Sequence, residues 1–173
     1  MTNNSDPLLA TFKLKHLTLK NRVMSTSHEP AYSENGLPTE RYQLYHEEKA
    51  KGGIGLTMFG GGTLIAPDSP AAYGNLYAGN DEIIPHFRAL ARRVHAHGAA
   101  TMCQLSHLGR RTSNYAGDWL PVIAPSAVRE PAHRAFPKEM EDWDIKRIVK
   151  AYGAAARRSR EGGLDGIEVF ANG

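Results

Sequence analysis

Ala100-Thr-Met-Cys-Gln-Leu-Ser-His-Leu-Gly-Arg-Arg111 is the stretch on which the fold turns. Its first half is a short apolar run with Gly98 in front, the pattern of a buried parallel strand. Its second half turns polar at once. Gln104, His107, Arg110 and Arg111 then fall at the strand's carboxyl end, where α/β sheets place their ligands.

Back from this strand, Asn80 or Asp81 caps a helix with Ile84, Phe87, Leu90, Ala91 and Val94 at helical spacing, Pro85 being tolerated in the first turn. A loop over 63–80 precedes it, and before that a strand over 55–59 ends in Gly60-Gly61-Gly62. Further back, Thr39 caps a helix running to Lys51, with Leu44 and Ala50 inward, Glu40, Arg41, Glu47, Glu48 and Lys49 outward, and Gly52-Gly53 as the stop. The first sheet strand is expected over 22–27. Before it, alternation in Phe12, Leu14 and in Leu17, Leu19 predicts two short antiparallel strands turning at His16, a hairpin suited to plug a barrel. Residues 1–10 read as disordered.

Forward from the strand, an irregular stretch over 106–141 is long enough to suggest that it serves a site. A helix from Asp142 or Asp144 through Arg160 follows, with Ile145, Ile148, Val149, Tyr152 and Ala156 on one side. A fourth strand is expected over 164–170. Three strand-then-helix units and a fourth strand imply right-handed βαβ crossovers and a parallel sheet. A closed (β/α)8 barrel needs about 250 residues. The α/β fold expected of residues 11–173 is therefore the first half of a TIM barrel with an N-terminal hairpin plug, cut short and with open strand edges.

Composition narrows the function classes. The chain has 173 residues, 41% apolar and 23% charged, which is ordinary globular usage. No run approaches the ~18 apolar residues of a membrane span, and the polar start is no signal peptide. A cytoplasmic protein without a membrane partner is the expectation. The single Cys103 excludes an internal disulfide framework, and no metal site is expected, because His95 and His97 point to different helix faces. A net charge of +3 with scattered Arg pairs argues against nucleic acid. No Gly-x-Gly-x-x-Gly follows a strand, so no Rossmann dinucleotide site is supported.

The strand ends supply the candidate site. Gly60-Gly61-Gly62 lets a flat ligand approach backbone, or is simply a turn. Gln104 offers an amide that donates and accepts together, suited to the imide edge of a flavin or pyrimidine, although a loop contact would also use it. His107 adds a donor and Arg110 a fixed charge that would stabilise an anionic reduced ring, or a surface ion pair. His28 and Tyr32 contact substrate or serve as buried structural hydrogen-bonders.

Taken together, Leu19-Lys-Asn-Arg22, Gly36-Leu-Pro-Thr-Glu-Arg41, Lys49-Ala-Lys-Gly-Gly53, Gln104-Leu-x-His107-x-Gly-Arg110, Ala124-Pro-Ser126 and Gly163-Leu-Asp-Gly-Ile-Glu168 resemble the old yellow enzyme family of FMN oxidoreductases. The branch most resembled contains 2,4-dienoyl-CoA reductase, trimethylamine dehydrogenase and the demethylases of dimethylglycine and N-methylproline. Ser25-Thr-Ser-His-Glu-Pro-Ala-Tyr32, Ile83-Ile-Pro-His-Phe87 and Arg129-Glu-Pro-Ala-His-Arg134 look most like the demethylases. The resemblance implies FMN at the top of a barrel, with Ser25 and Thr26 along the ring, Gly60 and Gly61 beside it and Gln104 on the pyrimidine edge. It places Tyr32 in the substrate pocket. Glu29 stands where trimethylamine dehydrogenase carries its flavin-linking cysteine, so the FMN is expected to be non-covalent. Phe170 stands at the first place of the His pair with which enone reductases grip a carbonyl, and Asn172 is a candidate for the second. Loss of that pair favours amine oxidation, with His28, Tyr32 and Asn172 as catalytic candidates and Glu29, His107 and Phe170 facing a small-molecule amine substrate. The alternatives are an NAD(P)H-dependent enone or dienoyl-CoA reductase and a fragment without cofactor. The same branch implies a 4Fe-4S cluster and FAD or NAD(P)H sites outside this chain, and leaves open a homo-oligomer or an electron-transfer partner.

Overall fold

The computed structural model describes residues 6–112 and 121–171. Four parallel strands form its central sheet, in the spatial order β3 (Met24–His28), β4 (Leu56–Leu64), β5 (Ala100–Ser106) and β8 (Gly166–Phe170). Sequence order equals spatial order, and a helix links each of the longer steps: α1 (Glu40–Lys51), α2 (Ile83–His95) and α3 (Asp142–Glu161). This is half of a β/α barrel, as the crossover pattern requires.

Alternation along the strands divides the sheet into two faces. On the outer face Phe59 and Cys103 pack with Tyr42 of α1, and with Ile83, Phe87, Leu90, Ala91 and Val94 of α2, in the main core. On the inner face Leu56, Met58 and Met102 form a second, smaller cluster. The hairpin of β1 (Phe12–Leu14) and β2 (Leu17–Leu19) closes its lower end, with Leu17 and Leu19 against those side chains. Lys15 takes a positive φ of 50° in the turn, beside the predicted His16. The plug is therefore in place, although Phe12, Leu14 and Met24 remain exposed.

Several expectations change in detail. Chain order begins before residue 11, since Asp6 accepts the Leu8 N–H and Arg22 N–H donates to the Leu8 carbonyl. β4 does not stop at Phe59 but continues through the three glycines to Leu64, with its pairing to β5 shifted between Phe59 and Thr63. The buried face of α1 is Tyr42, Gln43, His46 and Ala50, whereas Leu44 is exposed. On α3 the buried residues are Asp144, Ile148, Ala155 and Ser159, while Ile145 and Val149 face out. Its start is a reciprocal capping box between Glu141 and Asp144. In the irregular stretch after β5, two short parallel strands appear, β6 (Ile123–Ala124) and β7 (Lys138–Glu139). No described helix is long and apolar enough to cross a membrane.

Candidate functional site

A cleft of about 410 Å³ opens at the carboxyl ends of the four strands. That volume lies in the ordinary range for small-molecule sites, roughly 300 to 1,000 Å³. β3 and the residue after it contribute Ser27, His28 and Glu29, β4 contributes Gly61 and Gly62, β5 contributes Gln104, and β8 contributes Phe170. Tyr73 from the loop after β4 and Leu108 and Arg111 from the loop after β5 complete the wall. Elements far apart in sequence thus converge because parallel strands all deliver their ends to one side.

At the tip of β3, Glu29 sits in an environment poor in water. Its Oε1 accepts the Ala31 N–H at 3.0 Å, and its Oε2 is buried without a hydrogen-bond partner among the described residues. Burial lifts this carboxyl to about 7, with the Ala31 N–H and the Tyr42 hydroxyl pulling the other way. Tyr42 in turn accepts the Gly60 N–H at 3.0 Å, so helix α1 holds the backbone of β4 at the turn into the glycines. A Cβ at Gly61 would lie 2.8 Å from the Glu29 nitrogen. Glycine at 61 is therefore what lets the end of β4 close on the end of β3.

Gln104 is buried and paired in register with Glu168 on the neighbouring strand. Its Nε2 donates to the Glu168 carboxylate at 2.7 Å. A carboxylate only accepts, so this contact orients the amide, and the Gln104 carbonyl meets no donor among the described residues. Ser106, on the same strand face two residues on, has a buried hydroxyl that also lacks a partner. On the cleft wall, Gln104 thus presents an oriented amide beside Gly61 and Gly62, where a flat polar ligand can approach backbone.

Not every expected residue reaches this cleft. Glu29, His28, Gly61, Gln104 and Phe170 come together there. Ser25 instead bonds the Thr57 hydroxyl at 3.1 Å, in a layer shared with His46 of α1. Thr26 is exposed lower on β3, outside the cleft lining. Gly60 is buried beneath it, with φ +78°. Tyr32 is drawn away by Arg41, whose guanidinium carbon lies 3.9 Å from the ring centroid, and by the edge of Tyr45. His107 turns to Asp68, with its Nε2 3.4 Å from Oδ1, and Arg110 donates to the Val128 carbonyl at 3.2 Å. The cation on the cleft wall is accordingly Arg111, one residue further on. Asn172 lies outside the described residues.

Sequence reasoning missed Ser27, Tyr73, Leu108 and the orienting role of Glu168, and it gave Arg110 rather than Arg111 the role of the site's cation. For Glu168 the signal was available: it stands two residues before Phe170 and so shares its strand face. No signal marked Tyr73, whose place depends on a loop. Among the described residues no group of three or more His, Cys, Asp or Glu could hold a metal ion.

Against this geometry, the model of the NADH:flavin oxidoreductase / NADH oxidase family matches residues 7–173. The chain is 55% identical over 172 residues to the multifunctional alkene reductase/demethylase OYE of Caballeronia cordobensis, covering 99% of this chain and 26% of that protein. It is 54% identical over 169 residues to the probable N-methylproline demethylase of Rhizobium meliloti (strain 1021), covering 98% of this chain and 25% of the relative. Morphinone reductase superposes with a TM-score of 0.85 at 25% identity, over 97% of this chain and 49% of that structure. The chain thus spans about a quarter of the length of these curated relatives.

Proposed function

Because the chain belongs to the NADH:flavin oxidoreductase / NADH oxidase family, we propose that its carboxyl-end cleft holds FMN non-covalently and serves the oxidative demethylation of a small N-methylated amine or amino acid. The residues fit the cofactor. Gln104 presents an unmet carbonyl to a ring N–H, Gly61 and Gly62 leave a wall without side chains, and Arg111 supplies positive charge at the rim. The bound flavin would supply the two-electron acceptor for a hydride leaving the N-methyl carbon; the resulting iminium is hydrolysed by water to formaldehyde and the demethylated amine.

The observation that carries the amine reading is Glu29. Among the described residues Glu29 is the one carboxylate on the cleft wall, and its ionised form is favoured by a cation bound beside it. A methylated ammonium group is such a cation. Glu29 thus holds the charged end of the substrate, Phe170 gives an apolar wall for the methyl group, and His28 borders the same space. Support also comes from the relatives, two of which carry demethylase in their names.

The name of the Caballeronia relative joins alkene reduction to demethylation, and this favours alkene reduction as a second activity of the same cleft. Assays of the full-length flavoprotein with N-methylproline and dimethylglycine and an artificial electron acceptor, beside cyclohexenone with NAD(P)H, separate the two. Formaldehyde released from the amines is the expected result. Enone turnover with no formaldehyde from any N-methylated amine would contradict the demethylase reading.

A further inference from the structure

Two loops meet over the cleft at a pair of titratable rings. Tyr73 lines the cleft, and its hydroxyl lies 2.6 Å from Nε2 of His133, with the two rings edge to face and centroids 5.4 Å apart. The placement is built rather than incidental. Asn75 Oδ1 accepts the N–H of both Ala72 and Tyr73, while its Nδ2 donates to the carbonyls of Gly61 and Gly62. The loop bearing Tyr73 is thereby tied to the cleft's own glycine wall. On the other side, the buried Glu130 accepts the backbone N–H of His133. Both partners are held, and the pair runs from the cleft toward solvent.

We propose that Tyr73 and His133 form the proton outlet of the site: Tyr73 is a catalytic residue that takes the ammonium proton of the bound amine and relays its own to His133. This deepens the demethylase reading and rests on it. An alkylammonium resembles the lysine side chain, with a pKa of about 10.4, so the substrate arrives protonated at neutral pH. Its nitrogen must regain a lone pair before a C–H bond of the methyl group can leave with its electrons. In the relay the N–H bond of the substrate breaks and an O–H bond forms on Tyr73. The original Tyr73 O–H bond breaks and an N–H bond forms at His133 Nε2. The electron pair stays on the substrate nitrogen, and the positive charge passes to the imidazole.

Glu29 is the rival base, but its position argues for holding charge rather than exporting it. One oxygen accepts the Ala31 N–H and the other turns inward toward the buried Tyr42, away from the surface that His133 reaches. The charged and titratable groups facing the relay are Glu130 beneath His133, Arg111 beside Glu130, and His28 and Glu29 across the cleft.

The test uses the full-length flavin-loaded enzyme and the pH dependence of kcat and KM for N-methylproline in wild type, Tyr73→Phe and His133→Asn. Both variants should keep their flavin. At neutral pH kcat should fall by roughly 10²-fold, the lower end of general-base contributions, while KM changes little. The deficit should shrink as pH rises toward the substrate's own pKa, because free amine then enters without needing a base. A deficit that stays constant with pH, or none at all, would overturn the relay while leaving the demethylase reading intact. A flavin-replete wild type that releases no formaldehyde from any N-methylated amine would overturn both.

Discussion

At the scale of single residues, the cleft is an exercise in where charge is allowed to remain. Glu29 is ionised only above about pH 7, because burial raises its carboxyl. The sign follows: affinity for a cation should rise as pH climbs through 7. Tetramethylammonium has no N–H and so reports on Glu29 alone; titrated into the full-length protein, it should bind about tenfold more tightly at pH 8 than at pH 6, the size of a 1.4 kcal/mol gain. Glu29→Gln should abolish that dependence, and unchanged binding in the variant would remove Glu29 from the site. Residue-level legibility was uneven for a physical reason. Gln104 was readable from its place at a strand end, whereas Glu29 and Phe170 were singled out through the family resemblance. Arg110 and Arg111 were interchangeable on paper, since the turn at Gly109, with φ +58°, decides which one faces inward.

At the scale of elements, β4 carries the largest departure from pattern. Three glycines in succession read as the end of a strand, yet the strand continues because Tyr42 and Thr63 satisfy the backbone of Gly60. A Cβ at Gly60 would lie 2.1 Å from the Thr63 hydroxyl, at a φ of +78° that L side chains rarely adopt. Gly60→Ala should therefore cost about 2 kcal/mol or more, read as a lower denaturant midpoint with an unchanged slope. A variant as stable as wild type would show that β4 can end at Phe59 as the pattern suggests. Helices were predicted in the right places but with partly wrong faces. Leu44 of α1, and Ile145 and Val149 of α3, satisfied hydrophobic periodicity yet lie exposed, while Gln43, His46, Asp144 and Ser159 are buried. Periodicity marks apolar residues. It does not reveal polar ones buried through hydrogen bonds, such as Gln43 to the Pro38 carbonyl or His46 to Thr57.

At the scale of the molecule, a charge cluster built on the buried carboxylates of Asp68 and Asp144 binds the loops above the sheet to α3. Asp68 after β4 faces His107 after β5 and Arg147 on α3, and Arg147 also meets Asp144, which pairs with Lys138 of β7. Burial pulls the Asp68 carboxyl upward, but the hydrogen bonds from His107 and Arg147 outweigh it and hold it well below the usual carboxylate range. A depressed carboxyl stabilises the fold above its unfolded pKa of about 3.9, and that contribution disappears as pH falls through the lower, folded value. Asp68→Asn should lose about 3 kcal/mol at neutral pH, with the gap to wild type closing only in strong acid, as followed by urea unfolding at stepped pH. A gap that persists unchanged into acid would assign the loss to packing instead. The parallel half-barrel and its plug were legible from the strand-then-helix spacing. This cluster was not, because it joins residues separated by up to 79 positions through irregular loops.

On the proposed reading, the carboxyl ends of these four strands hold a flavin. The most direct measurement is the visible spectrum of the full-length protein after gel filtration with added FMN, repeated on the supernatant after acid precipitation and on Gln104→Ala. A flavin band that co-elutes with the wild-type protein, passes into the supernatant on precipitation and weakens in the variant is the predicted result. Wild-type protein that elutes folded but colourless, and takes up no added FMN, would contradict the account.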